Sequence, residues 1–215
     1  MFEPFTNFDD TMQRKLGWHN LEMFRLPDQD VIPIVQVLQT LCKDKLVLDI
    51  GCYGSIAPSN NHKAIVQVAK EVWGVDQKNP DNIEDFTVID LEEDSWDLIP
   101  EKPWDFIVAT EVIEHMRNPG NFVKNLSRFK CPIILSTPNP SDFEVFNHML
   151  LGVEIGNSFH FCLFTVRALM NLVHQYGFNV TQVYFVTADG RLRYSDNPFL
   201  QSGVVYILKH ISLKN

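Results

Sequence analysis

From residue 45 onward, apolar runs of strand length alternate with stretches whose apolar residues recur at helical spacing. "KLVLDI" (45–50) is the first run. "HKAIVQVAKE" (62–71) follows, with Ile65, Val66, Val68 and Ala69 as the buried side of a helix. "VWGVD" (72–76), "FTVID" (86–90), "WDFIVAT" (104–110) and "CPIILST" (131–137) read as further strands. Before the last of these, "NFVKNLSRF" (121–129) puts Phe122, Leu126 and Phe129 on one helix face. "TVRALMNLVHQYG" (165–177) spaces Val166, Leu169, Met170, Val173 and Tyr176 helically, with Thr165 as N-cap and Gly177 as terminator. "FNVTQVYFVT" (178–187) and "GVVYILKH" (203–210) close the pattern as two strands joined by a polar loop.

Such alternation predicts an α/β fold, a doubly wound three-layer sandwich with a parallel sheet covered on both faces. The last two strands leave no room for a crossover helix, so they form an antiparallel hairpin at one edge. With no repeats or linkers, residues 1–215 read as one domain. Residues 1–40 read as an N-terminal helical cover, with "VIPIVQVLQTL" packing beside the first strand. Residues 138–164 read as an insert on the substrate side, because long excursions at the carboxyl end of a strand build pockets. Within it, Ser141 and Glu144 have capping-box spacing, and Phe143, Phe146 and Leu150 share a face.

Composition adds little to this picture but excludes some classes. Apolar residues make up 45% and charged residues 21% of the chain, the range of ordinary globular proteins. A formal net charge of -9 argues against a surface built to neutralise nucleic-acid phosphates. Four cysteines (Cys42, Cys52, Cys131, Cys162) are scattered without a C-x-x-C pair and read as reduced thiols. The start "MFEPFTNFDD" has acids where a signal peptide needs a basic flank, and no apolar run approaches the ~18 residues of a membrane span. A cytoplasmic protein is expected, without membrane or nucleic-acid partners.

The chemistry begins where the first strand ends, in "VLDIGCYGS" (47–55). Gly51 and Gly54 let backbone approach a ligand at the carboxyl edge of the sheet. Asp76 ends the second strand, placed to accept both hydroxyls of a ribose, and Asp90 ends the third, beside an adenine position. This suits a dinucleotide or S-adenosylmethionine (AdoMet). A dinucleotide loop needs G-x-G-x-x-G with a helix start on the pyrophosphate. Here the pattern is G-x-x-G, and the helix is delayed to about Asn60. AdoMet carries no phosphate and fits better.

These motifs, in order, resemble those of class I AdoMet-dependent methyltransferases of the small-molecule type 11 and type 23 group. "VLDIGCYGS", "VWGVD", "DFTVIDLEE" and "WDFIVATEVIEHMRNPGNFV" are similar to that family's first four motifs; "IILSTPNP" and "FHFCLFTVRALMNLVHQYGF" are similar to the later segments. The resemblance spans about residues 44–210. It implies a seven-stranded Rossmann-like sheet of order 3-2-1-4-5-7-6. It also implies AdoMet as cofactor, with Asp49, Gly51, Cys52, Tyr53 and Gly54 around its methionine part. Asp76 and Gln77 would hold the ribose and Asp90 and Leu91 the adenine, with Thr110, Glu111 and Val112 under the sulfonium. Tyr53 and the inserted "IAPSNNH" depart from the commonest pattern, although some members carry a histidine like His62.

"EVIEHMRNPG" places Glu111, Glu114 and His115 on one face of a helical turn. Three roles are open. His115 can act as general base or orient the acceptor, its ordinary pKa near neutrality suiting proton transfer. Glu111, Glu114 and His115 can join His160 as metal ligands, a set resembling that of small-RNA 2'-O-methyltransferases. Or Glu114 and His115 merely order the loop. The expectation is a metal-free site with His115 and Glu114 catalytic, and with His160 and Asn139 on the substrate side. Trp18 and His19 suit an amino-terminal lid or plain helical cover. His148, Arg191, Arg193 and the Lys124, Arg128 and Lys130 face read as solvent-exposed. The expected function is AdoMet-dependent methylation of a small molecule, oxygen slightly favoured over nitrogen or carbon. The alternatives are a non-catalytic binding or scaffold member of the fold and a metal-dependent RNA 2'-O-methyltransferase; missing glycines disfavour a nicotinamide oxidoreductase. Oligomeric state is not legible.

Overall fold

A computed structural model describes residues 3–4, 22–25, 32–54, 59–79, 81–153, 157–187 and 201–211. Along the chain run β1 (Glu3–Pro4), β2 (Glu22–Arg25), β3 (Ile32–Pro33), α1 (Ile34–Cys42), β4 (Leu46–Ile50), α2 (Asn60–Val66) and β5 (Glu71–Asp76). Then come β6 (Phe86–Val88), β7 (Phe106–Thr110), α3 (Pro119–Leu126), β8 (Ile133–Pro138) and α4 (Phe143–Leu150). The last elements are α5 (Val166–Gln175), β9 (Phe178–Thr187) and β10 (Gly203–His210). They form one sheet of order β1-β2-β9-β10-β8-β7-β4-β5-β6, with β3 also beside β9.

The central strands β6, β5, β4, β7 and β8 are mutually parallel, and β10 runs antiparallel between β8 and β9. Counted from β4, this is the expected 3-2-1-4-5-7-6 with its closing hairpin. Extra strands lengthen it. β2 and β3 lie parallel to the outer strand β9, and β1 pairs antiparallel with β2. Of the helical cover expected over 1–40, the described residues are extended at 3–4, 22–25 and 32–33 and helical from Ile34, and the rest lie outside the described residues. The only described helix before β4 begins at Ile34, because Pro33 lacks an N–H and ends the extended run just before it. Trp18, His19, Arg191 and Arg193 lie outside the described residues.

The strands divide their side chains by the two-residue period of extended chain. Val47, Val108, Ile134, Val205 and Ile207 pack with Val37 and Leu38 of α1 and Ile65 of α2. Leu48, Ile50, Ile107, Leu135, Tyr206 and Leu208 pack with Phe122 and Leu126 of α3 and Leu169 and Val173 of α5. Trp96 closes that second layer, edge-on to Phe122 at 5.7 Å, its indole N–H donating to Leu91 O at 3.1 Å. Thr165 caps α5 by accepting from Ala168 N at 3.2 Å, and Gly177 follows at φ +84°.

Helix α4 departs from expectation twice. Its N-cap is Asp142, whose carboxylate accepts from Glu144 N at 2.6 Å, not Ser141. A residue one place nearer the helix reaches the orphan N–H groups directly. And α4 buries no residue, so Phe146 and Leu150 face outward.

Candidate active site

Strand β4 delivers the chain to a tight turn under the cleft. Gly51 takes φ +71°, and its N–H donates to Val75 O at 2.7 Å. A Cβ there would stand 2.3 Å from Val112 Cγ2, so only glycine lets the loop lie against the end of β7. Cys52 turns into the sheet, its thiol against Gly74, where an added Cβ would meet Sγ at 3.0 Å and Phe86 Cδ2 at 2.7 Å. Burial raises that thiol well above its ordinary range. The Cys52 side chain therefore does not face the cleft, and only its backbone belongs to the loop. The chain returns with Ser59 N donating to Cys52 O at 2.9 Å, and Ser59 caps α2.

Asp76, at the end of β5, is fixed from both sides. Its Oδ2 accepts from Tyr53 N at 2.9 Å and its Oδ1 from Gln77 N at 2.7 Å. Two backbone donors use two of about four lone-pair directions, which leaves acceptor capacity for two hydroxyls. Burial raises this carboxyl above its usual range, and the two backbone N–H groups pull it part of the way back. Tyr53 points away from Asp76 at its far end: its hydroxyl donates to Asp81 Oδ2 at 2.6 Å. That bond pushes the phenol up to about 12. The bulky residue in the loop is thus held toward the 81 turn.

Two expected cofactor acids have other engagements. Asp49 is buried and holds His62 Nδ1 at 2.8 Å, on the α1 and α2 side of the sheet. Burial raises Asp49, and His62 offsets part of that. The pair anchors α2 to β4, and Asp49 does not line the cleft. Asp90 accepts from Glu92 N at 2.9 Å and from Gln77 Nε2 at 3.2 Å. Its neighbour Leu91 lines the cleft instead.

The floor begins at the end of β7. Thr110 Oγ1 accepts from Asn61 Nδ2 at 3.1 Å, joining β7 to α2. Glu111 adopts φ +56°, a conformation that costs a non-glycine residue about 1–2 kcal/mol. Ser136 holds it there: Glu111 N donates to Ser136 Oγ at 3.1 Å, and Ser136 Oγ donates to Glu111 Oε1 at 2.7 Å. Desolvation raises the Glu111 carboxyl, and the serine hydroxyl opposes it.

A 3-10 turn over Ile113–His115 follows. Glu114 is fully buried, with the Thr137 hydroxyl beside its carboxyl. Burial first, and the nearby Glu111 charge second, push it up to about 8. Its backbone carbonyl accepts from Phe161 N at 2.8 Å and Cys162 N at 3.2 Å, pinning the 157–164 segment to the turn. His115 lines the cleft, with Nδ1 on Phe159 O at 3.0 Å. The His160 ring stands edge-on to it at 4.7 Å. Burial and the neighbouring His115 lower His160.

The resulting cleft has a volume of about 950 Å³, in the upper range for ligand sites. Its loop side includes Gly51, Tyr53, Gly54, Asp76, Gln77 and Leu91. Thr110, Glu111, Val112, His115 and Met116 form the floor. Ile34, Val186, Ser202, Gly203, Asn157 and Phe159 complete the far side, and none of these six is signalled by a local motif. Ser59, Asn60, Asn61 and Lys78 also line it, and none of the four is among the expected site residues. Asn139 is engaged elsewhere: its Nδ2 donates to Gln201 O at 2.7 Å and its Oδ1 accepts from Ser141 N at 3.0 Å. It ties the end of β8 to the chain before β10 and does not line the cleft.

A glycine cradle, a strand-end carboxylate with spare acceptor capacity and an apolar Leu91 fit a nucleoside without phosphates. The seven-residue helix α2 begins only at Asn60, which does not suit a pyrophosphate.

Residues 22–183 match the family model described as a methyltransferase domain. Among curated proteins none matches. Solved structures share the fold. A SAM-dependent methyltransferase from Archaeoglobus fulgidus is 16% identical with a TM-score of 0.54, over 81% of this chain and 94% of that one. Magnesium protoporphyrin IX methyltransferase from Synechocystis PCC 6803, with bound SAH, is 14% identical with a TM-score of 0.52, over 82% of this chain and 80% of that one. A Haloferax volcanii complex between the Trm112 methyltransferase activator and a methyltransferase matches at 10% identity and a TM-score of 0.52, over 96% of this chain and 94% of that one.

Proposed function

The chain belongs to the family of S-adenosylmethionine-dependent methyltransferases, and on that premise we propose that it methylates a small-molecule acceptor, at oxygen in preference to nitrogen or carbon. The observation that carries this reading is one imidazole, His115, in the floor of a cleft whose far side includes Ile34, Val186 and Phe159. An acceptor hydroxyl has to lose a proton as it attacks; His115 is the group placed to receive it. With Nδ1 engaged by Phe159 O, the ring is held in one orientation and Nε2 remains for the acceptor.

AdoMet, when bound, supplies a methyl group on a cationic sulfonium. Asp76 takes the ribose hydroxyls, and Leu91 covers the adenine. Gly51 and Gly54 allow backbone to lie along the methionine part. Thr110, Glu111 and Val112 form the floor beneath the reacting end. Ile34, Val186 and Phe159 exclude water on the acceptor side, so most of the rate comes from holding the nucleophile in line.

Transfer of labelled methyl to a panel of apolar phenols, hydroxy acids and amines tests the reading. Hydroxyl acceptors should lead, and His115→Ala should lower kcat about 10²–10⁴-fold, the usual worth of a placed acid or base. Equal turnover of amines, with kcat unchanged in that variant, would overturn it.

A further inference from the structure

Large apolar side chains left in water are concentrated in one segment of the chain. Among the described residues eleven are exposed, and eight of these lie between positions 146 and 163. Val66, Val88 and Leu98 are scattered singly, which is ordinary on a protein surface; a cluster of eight marks a binding surface.

The part of this cluster that meets the cleft is the run 159–163. Phe159, Phe161 and Leu163 are 72%, 65% and 58% exposed, while Cys162 and Phe164 turn inward against the core. Alternation of this kind puts 159, 161 and 163 on one side, and four residues of extended chain span about 13 Å. Backbone bonds hold the strip in place. Phe159 O is on His115 Nδ1, and the N–H groups of Phe161 and Cys162 donate to Glu114 O. Phe159 and His115 both line the cleft, whereas Phe161 and Leu163 lie outside it on the same side of the strip. A molecule with its hydroxyl at His115 therefore meets Phe159 next, and then the other two.

Charge narrows what can lie there. Residues 138–164 contain no lysine or arginine, and their acids are Asp142, Glu144 and Glu154. A phosphate-bearing acceptor or an anionic lipid surface finds no cation in this segment, and a second copy would bring acid against acid. An uncharged hydrocarbon loses nothing by the lack of cations and gains by leaving water.

We propose that the acceptor is an alcohol or phenol with an unbranched hydrocarbon tail, its hydroxyl at His115 and its tail over Phe159, Phe161 and Leu163. This rests on the oxygen-acceptor reading above and adds the substrate class to it. Full burial of a methylene is worth about 4-fold in affinity; a strip that covers one side of the tail gives about 2-fold.

Calorimetric titration of the full chain with 4-alkylphenols from ethyl to octyl, without AdoMet and below their aggregation thresholds, reads the tail directly. Affinity should rise about 2-fold per methylene, roughly 60-fold across the series. Phe161→Ser and Leu163→Ser should each weaken octylphenol at least 5-fold and leave ethylphenol unchanged. Leu98→Ser, exposed elsewhere, should alter neither. A gradient that survives both strip variants overturns the proposal. A flat series overturns it too, and sedimentation and flotation with phosphatidylcholine vesicles, each compared with Leu163→Ser, then tell a second copy from a lipid surface. Methyl transfer separates this from the reading it rests on. A tail gradient with transfer only to amines removes the oxygen reading and leaves the strip, while oxygen transfer with a flat series does the reverse.

Discussion

At Gly51 backbone conformation and packing demand the same residue. Alanine there meets Val112 Cγ2 at 2.3 Å and has to hold φ +71°. Gly51→Ala should therefore cost about 1–3 kcal/mol in denaturant unfolding, an overpacking penalty that Val112→Ala relieves only in part. Asp76→Ala should weaken AdoMet by roughly 1–3 kcal/mol in calorimetric titration, the scale of leaving buried polar partners unpaired. Wild-type affinity in that variant contradicts the ribose assignment. Glu114 gives a pH signature. Folded, it keeps its proton up to about 8; unfolded, it loses it near 4.5. Its contribution to stability is then complete below pH 4.5 and is lost as pH rises toward 8, by roughly 1.4 kcal/mol per pH unit. Glu114→Gln should flatten that decline in thermal unfolding; an unchanged slope contradicts the assignment. Sequence made Gly51 and Asp76 legible because their roles follow from local backbone and strand position. It could not show that Asp49 would turn to His62, or that Tyr53 would reach Asp81, since each partner is fixed by the tertiary fold.

Helices α4 and α5 have similar apolar stripes and opposite fates. Leu169 of α5 is fully buried between helix and sheet, and Leu169→Ala should cost about 2–5 kcal/mol. Leu150 of α4 is 68% exposed, and Leu150→Ser should change stability by no more than about 0.5 kcal/mol. Urea unfolding of the two variants checks both. Periodicity reports that a helix has an apolar face, not whether a neighbour covers it. The same limit hid β2 and β3: four- and two-residue strands leave too short a pattern to read, and pairing with β9, and with β1 for β2, makes them strands.

For the molecule as a whole, the central sheet was legible because strand–helix alternation and right-handed crossovers leave few topologies open. Five parallel strands and the closing hairpin follow from that, while the order 3-2-1-4-5-7-6 is what the family resemblance implies, and the sheet has it. The far side of the cleft was not legible. Ile34 comes from the start of α1, far along the chain from Val186 and Gly203, which face each other across the β9–β10 hairpin. No helix among the described residues is long and apolar enough to cross a membrane. The central claim is that the cleft above β4, β5 and β7 holds the nucleoside cofactor. Calorimetric titration of the full chain with S-adenosylhomocysteine tests it most directly. One site per chain is predicted, weakened roughly 5- to 150-fold by Asp76→Ala, the equivalent of about 1–3 kcal/mol. Absence of binding at high micromolar ligand, or equal affinity in the variant, would contradict it.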